Sequence, residues 1–416
     1  MKSLDRGLRN MDALEILMNK DHVVPYFQPI LSAEEQSVIG YEVLGRININ
    51  DDVKTLGDFF HNDNIPEEYI IEVDEHIQHL AFDYYCNANI ETDLFINCNA
   101  NILLSENDYT EQLISRIKLY QNKGLKFENI VLEIREHDYE GDLSQLGHLI
   151  LYLKSFGIRV AIDDVGRGGS NIDRIALLEP DILKVDLKFI KDGMLSPSHR
   201  DVLYSLSMFA RKIGATLLFQ GIGDLTKLNA AWKNGGRYYQ GFYLAKPCSQ
   251  FVEPHCCKQQ LTNEFEQFIN HERKKLTQQY IFIEHLNSRL EEVVRKDKKH
   301  SSEEIIMSIS DHLEDVCFRI YICDQYGFQR STNYVKKDGS WQRQLEYLGK
   351  NWSWRPYFLE TIVRMQYDRR GILSDLYSDI ETNEFIRTFS YPINGELYLF
   401  LDLSYAFLFE QEGLLY

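Results

Sequence analysis

Between residues 23 and 247, short apolar and β-branched runs alternate with segments whose apolar positions recur at helical spacing, the pattern of parallel strands joined by crossover helices. The strand-like runs are VVPYFQPIL, SVIGYEVLGRI, LFINCNA, IVLEIRE, RVAIDDVG, DILKVDL, ATLLFQGIG and YYQGFYLAKP, with helices expected over 69–85, 143–156 and 201–213 among the segments between. Eight strands would close an α/β barrel of the TIM-like (β/α)8 kind. Over 259–298 the apolar residues Leu261, Phe265, Phe268, Leu276, Ile283, Leu286, Leu290 and Val293 stand among many charges, which predicts a long amphipathic helix. Beyond Ser301 the runs CFRIYICD, GFQRSTNYV, FIRTFSYPI and ELYLFLDLS predict a smaller α+β domain. The expected organisation is a barrel over 1–256, a linker helix over 257–300 and the α+β domain over 301–416.

A (β/α)8 barrel holds its chemistry at the C-terminal ends of its strands, so polar side chains there take a functional reading. Glu42, Asn97, Glu133, Asp163 and Asp186 each stand inside or just after an apolar run, on five different strands. Any one of them alone reads as a surface carboxylate or a helix cap. Together, in surroundings as apolar as LEIRE and VAIDD, they become buried charges that need a cation or a metal. Mg²⁺, Mn²⁺ and Ca²⁺ prefer hard oxygen ligands, and Glu42, Asn97, Glu133 and Asp163 make a candidate set. Asp164 follows directly, so the adjacent acids could serve two ions, with Asp186 completing the second site. Lys184, two positions before Asp186 on the same strand face, is the candidate cation.

Charge narrows the partners. The chain carries 63 acidic against 45 basic side chains, a formal net charge of −18, which disfavours polymeric nucleic acid and anionic membranes. A small anion could still bind where a metal ion or a few local Arg and Lys residues reverse the potential. With 44% hydrophobic and 12% aromatic residues, the bulk of the chain is expected to fold. No run of about 18 apolar residues predicts a membrane span, and the first residues lack the apolar core of a secretory signal, so a cytoplasmic location is expected. The seven cysteines show no repeating spacing and read as reduced thiols.

YEVLGR at 41–46 resembles the EAL-x-R signature of bacterial cyclic di-GMP phosphodiesterases, with Val43 in place of the signature alanine. FQPI with Gln28, INCNA with Asn97, LEIRE with Glu133 and Glu136, DDVGRGGS with Asp163 and Asp164, LKVD with Lys184 and Asp186, and YYQGF with Gln240 resemble further blocks of that EAL family, in its order. The resemblance implies cyclic di-GMP as ligand, contacted by Gln28, Leu44, Arg46, Asp186 and Gln240, with Arg46 on a phosphate. A salt bridge is the structural alternative for Arg46. The resemblance also implies that Glu42, Asn97, Glu133 and Asp163 hold one divalent ion, while Asp163, Asp164 and Asp186 help a second. Lys184 would orient the attacking water or a phosphate, and Glu136 would couple the loop after Asp164 to metal binding and dimer contacts. Mg²⁺ or Mn²⁺ would support catalysis, Ca²⁺ could occupy the site without supporting it, and a homodimer is implied.

Departures from the family pattern bear on cleavage. FQGIG stands where the family has AEGVE, so Gln220 replaces a glutamate beside the metals and Gly223 a second acid. An amide offers a carbonyl oxygen but neither a negative charge nor a proton acceptor. Loss of a general base typically costs about 10² to 10⁴ in rate. DDVGRGGSN replaces the family's DDFGTGYSS, which changes Val165, Arg167, Gly169 and Asn171. Among the implied catalytic positions Glu42, Asp163 and Lys184 are kept and Gln220 is altered. Two readings follow: a metal-dependent receptor for cyclic di-GMP with weak or no hydrolysis, and an active phosphodiesterase giving linear pGpG. The tail resembles PAS-like or Cache-like sensor domains, which implies a small ligand or a protein as its partner. Trp352, Trp354 and Tyr357 are candidates to line a pocket there, or else core residues.

Overall fold

The computed structural model describes residues 13–49, 52–60, 62, 64–105, 108–135, 138–139, 141–166, 172–190, 197–297, 301–355, 357–411 and 413–415. Contacts divide the chain into two units, Met1–Phe265 and Glu266–Tyr416. In the first, the strands are β1 (Val23–Ser32), β2 (Val38–Ile49), β3 (Asp52–Thr55), β4 (Asp93–Cys98), β5 (Ile130–Ile134), β6 (Arg159–Val165), β7 (Ile182–Asp186), β8 (Thr216–Gln220) and β9 (Tyr238–Tyr239). They pair in the order β1-β9-β8-β7-β6-β5-β4-β2-β3, and β1 also pairs β2, so eight strands close into a barrel with β3 as an arm on β2.

Seven of the barrel strands run parallel, as the alternation of strand and helix predicts. β1 differs, being antiparallel to both of its neighbours. The cause is local: only residues 33–37 link β1 to β2, whereas a parallel crossover takes about a dozen residues or more. Ile30, Phe95, Val131, Ala161, Ile182 and Leu218, from six strands, form one apolar layer inside the barrel. Helices Glu67–Ala88, Tyr109–Gln121, Leu143–Ser155 and Pro197–Ile213 are among those that connect the strands.

The long helix Lys258–Asp297 begins in the first unit, where Leu261 and Phe265 are buried. Its end enters the core of the second unit through Leu286, Leu290, Val293 and Val294. The sheet there comprises β10 (Arg319–Asp324), β11 (Asn333–Lys337), β12 (Ser340–Gln344), β13 (Ile372–Leu373), β14 (Tyr377–Ser378), β15 (Phe385–Pro392) and β16 (Leu397–Leu403). Its order is β12-β11-β10-β16-β15-β13, with β14 on β15, and the pairings are antiparallel. Helix Ser302–His312 is started by a capping box between Ser301 and Glu304. Helix Phe358–Asp368 buries Phe358, Ile362 and Met365 against Tyr321, Tyr398 and Phe400.

The run GFQRSTNYV yields a strand only over its last residues. Its start is a tight turn in which the Gly327 N–H donates to the Asp324 carbonyl and Gly327 takes φ +87°. A Cβ at Gly327 would lie 2.6 Å from the backbone nitrogen of Ser353, so the position suits glycine alone. Among the described residues, no helix is long and apolar enough to cross a membrane.

Candidate functional site

Two-residue alternation places a polar layer directly above the apolar one. Two residues beyond Phe95, Val131, Ala161, Ile182 and Leu218, on the same strand faces, stand Asn97, Glu133, Asp163, Lys184 and Gln220. On β1, which runs the other way, Gln28 precedes Ile30 and pairs with Glu42. Side chains from seven strands, Glu42 on β2 included, thus converge on one mouth.

Asp163 and Asp164 both face it, although consecutive strand residues ordinarily point to opposite sides. The register of β6 on β7 shifts between Ile162 and Val165, and Asp164 takes φ +57°. This irregularity turns the second carboxylate towards the first. Asp186 ends β7 and accepts from the Lys188 N–H at 2.8 Å. It presses against Gly221, where a Cβ would lie 2.5 Å from Asp186 Oδ1.

Lys184 is fully buried at the centre. Its ammonium pairs with Glu133 and lies 3.2 Å from Glu42 Oε2 and 3.9 Å from Asp163 Oδ1. Burial opposes the charge on Lys184, but Glu133, Glu42 and Asp163 outweigh it and hold the ammonium. Burial, then the neighbouring Glu42, pushes Glu133 well above the usual carboxylate range, against the pull of Lys184. Asp163 moves the other way: burial raises it, yet Lys184, Arg135, the Asp164 backbone and the Gln220 amide together bring it below its ordinary value. Glu42 accepts from the side-chain amides of Asn97 at 3.0 Å and Gln240 at 2.7 Å.

Gln220 Nε2 donates to Asp163 Oδ1 at 2.8 Å and to Asp164 Oδ1 at 3.4 Å. An amide between two carboxylates must present its nitrogen, so its carbonyl oxygen turns away from them. Arg135 adds a cation, its Nε 3.5 Å from an oxygen of each of the same two acids. Sequence reasoning passed over Arg135. The available signal was its place two residues after Glu133, hence on the same face at the end of β5.

The mouth opens into a cavity of about 530 Å³ lined by Gln28, Glu42, Leu44, Arg46, Asn97, Glu133, Arg135, Asp163, Asp164, Asp186, Gln220 and Gln240. Of the positions expected from the sequence, Lys184 is buried at its base. Glu136 lies outside the described residues, as do Arg167, Gly169 and Asn171. Arg46 donates from Nη1 to the Gly45 carbonyl at 2.9 Å and lies over the Tyr26 ring. Among the described residues no carboxylate pairs with it, so the salt-bridge alternative is not what the structure places there. Phe60, Ile70, Ile71, Ile102 and Phe242 give the cavity an apolar side.

The donor set fits a divalent ion. Glu133 Oε2 is buried without a hydrogen-bond partner among the described residues, and so is Gln240 Oε1. Orphaned oxygens beside several carboxylates are what a hard cation would satisfy. Among the described residues no group of three acidic, His or Cys side chains already stands in a metal-holding arrangement. The Lys184 ammonium and the Asn97 and Gln220 amides lie between the acids instead.

Comparison with known proteins places this geometry. The EAL domain profile matches residues 11–247, and a profile described as an EAL-domain associated signalling protein domain matches 251–415. The EAL-domain containing protein YkuI of Bacillus subtilis is 49% identical, over 97% of this chain and 100% of its own length. The YkuI crystal structure, in complex with c-di-GMP and calcium, superposes with a TM-score of 0.92 over 97% of this chain and 100% of that one. A calcium and cyclic di-GMP complex of Klebsiella pneumoniae BlrP1 shares the fold at 22% identity and a TM-score of 0.50, over 56% of this chain and 58% of its own. The probable cyclic di-GMP phosphodiesterase PdeA of Escherichia coli is 23% identical over 57% of this chain, a match spanning 32% of PdeA.

Proposed function

This chain belongs to the EAL-domain family, and on that premise we propose that its barrel mouth is a divalent-metal-dependent receptor for cyclic di-GMP with weak or absent hydrolysis. In this reading Glu42, Asn97, Glu133 and Asp163 hold one ion, and Asp164 and Asp186 belong to a weaker second place. A bound divalent ion supplies charge neutralisation for a phosphodiester and lowers the pKa of a water it holds. Arg46, which has no carboxylate partner among the described residues, is the fork for a phosphate, with Gln28, Leu44, Asp186 and Gln240 around the rest of the ligand. Lys184 keeps the buried acids from repelling one another and orients a phosphate or water.

One observation carries the receptor reading: the Gln220 amide donates to both Asp163 and Asp164, where a general base would have to accept a proton. Retention of Glu42, Asn97, Glu133, Asp163 and Lys184 in one layer supports the second reading, a phosphodiesterase giving pGpG. Incubation with cyclic di-GMP and Mg²⁺ or Mn²⁺, followed beside a binding isotherm, separates the two. Saturable binding with little pGpG is expected, and fast turnover would overturn the receptor reading. Gln220→Glu should raise the residual rate by about 10² to 10⁴, because it restores a proton acceptor.

A cytoplasmic homodimer with a sensory second unit of PAS-like type completes the proposal. Ile269, Leu276 and Tyr280 are exposed along the long helix at seven- and four-residue spacing, a stripe suited to a second copy. A mass measurement in solution tests it.

A further inference from the structure

A second site lies in the second unit. Four paired residues, Tyr321 on β10, Phe400 on β16, Ser390 on β15 and Ile372 on β13, form one rung across the sheet. They share its face with Thr388 and are roofed by Trp352, Arg355, Tyr357 and Phe358, which enclose a cavity of about 30 Å³. Phe400 stacks on both Tyr321 and Phe358 and makes the floor apolar.

The cavity is rich in donors and has no acidic side chain in its lining. The Arg355 guanidinium lies 4.6 Å from the centre of the Trp352 ring and donates to the Tyr357 hydroxyl at 3.2 Å. Among the described residues no carboxylate pairs with it, whereas Arg319, one rung away, binds three. The hydroxyls of Tyr321 and Ser390, residues 7% and 4% exposed, have no hydrogen-bond partner among the described residues. Asp402, in the neighbouring rung, has both oxygens engaged by Arg319 and Thr388 and makes no ion pair with Arg355. An unpaired planar cation and two unspent hydroxyls over an apolar floor match a carboxylate on a short alkyl chain. The volume admits about two or three water-sized groups, which excludes a nucleotide or a sugar phosphate.

We propose that this cavity binds a small monocarboxylate, two or three carbons long, with its carboxylate on Arg355, Tyr321 and Ser390 and its alkyl end on Phe400. Trp352 forms the wall, so occupancy also alters tryptophan emission.

The test uses the full chain titrated with sodium propionate in a calorimeter to about 10 mM, above the roughly millimolar Kd that so few atoms can be expected to give. One saturable site per chain with a parallel change in emission is expected. Arg355→Gln should weaken it about 10- to 100-fold, and Ser390→Ala about two- to tenfold, with circular dichroism unchanged. Should Arg355→Gln fail to fold, Arg355→Lys keeps the charge without the fork and should still lose most of the affinity. No saturable heat, equal binding by the Arg355 variant, or inorganic phosphate binding as well as propionate would each overturn the proposal.

Discussion

The two units each bury several carboxylates around one basic side chain on a sheet face, and they use that arrangement for opposite ends. In the second unit Arg319 donates from Nη1 to Asp379 at 3.1 Å and Asp402 at 2.9 Å, and from Nη2 to Asp379 at 2.8 Å and Glu381 at 3.1 Å. Thr388 donates to the other oxygen of Asp402, and Thr382 donates to the Asp379 Oδ2 that also accepts from Arg319. The planar fork spreads over three acids and, with Tyr347 on Glu381, leaves none of their oxygens without a partner, although Arg319 Nε itself is buried with none among the described residues. In the barrel, the point charge of Lys184 reaches Glu133, Glu42 and Asp163 but leaves Glu133 Oε2 orphaned, and the cluster opens on a 530 Å³ cavity. Closed networks hold a fold together; open acid clusters with spare oxygens invite a cation.

Removing the basic residue from each cluster should break this comparison most sharply. Arg319→Leu leaves buried acids without a cation and should destabilise the second unit by about 3–5 kcal/mol. Calcium should not rescue it, because the cluster is closed by fixed partners. Lys184→Leu should also destabilise, yet millimolar calcium should recover much of the loss, since the barrel acids face a cavity. Thermal unfolding of both variants with and without calcium reads the difference. Rescue of Arg319→Leu by calcium would dissolve the distinction.

A smaller effect separates the units in the unaltered protein. Calcium at about 100 times its Kd should stabilise the barrel by roughly 2.7 kcal/mol, and EDTA should reverse it. Hydrogen exchange measured separately over 23–247 and 301–415 should show the gain in the first range only. Next in size, Arg46→Ala should weaken cyclic di-GMP binding by about 1.5–3 kcal/mol, the worth of hydrogen bonds to a charged group. Unchanged affinity would remove Arg46 from the phosphate.

Much of the barrel was legible because its strands carry a strong signal: acids at the ends of apolar runs, with the apolar layer two residues earlier. Glu42, Asn97, Glu133 and Asp163 could be named from that pattern, and the structure brings them together. What the residues could not show is geometry set by connection length or by irregularity. The antiparallel β1 follows from the short link over residues 33–37, not from its composition. The shared orientation of Asp163 and Asp164 depends on a register shift that alternation argues against. In the second unit, Arg319 and Arg355 look alike in sequence, and only pairing across the sheet shows that one meets carboxylates and the other does not. The aromatic candidates divide: Trp352 and Tyr357 line the small cavity, while Trp354 is 63% exposed and outside its lining.

Arg135 offers the smallest and most discriminating effect. It is partly exposed, and its Nε lies 3.5 Å from both Asp163 and Asp164, so each contact is a weak ion pair. Removing a cation from a closed cluster should unfold it, whereas removing Arg135 from an open one should leave the acids freer for a metal ion. Arg135→Ala is therefore expected to tighten calcium or manganese binding by about fivefold, equivalent to roughly 1 kcal/mol, with little change in melting temperature without metal. A calorimetric titration of the ion alone measures this without reference to turnover. If the variant binds the ion more weakly, Arg135 supports the acid layer as Arg319 supports its own, and the contrast between the two units fails at that residue.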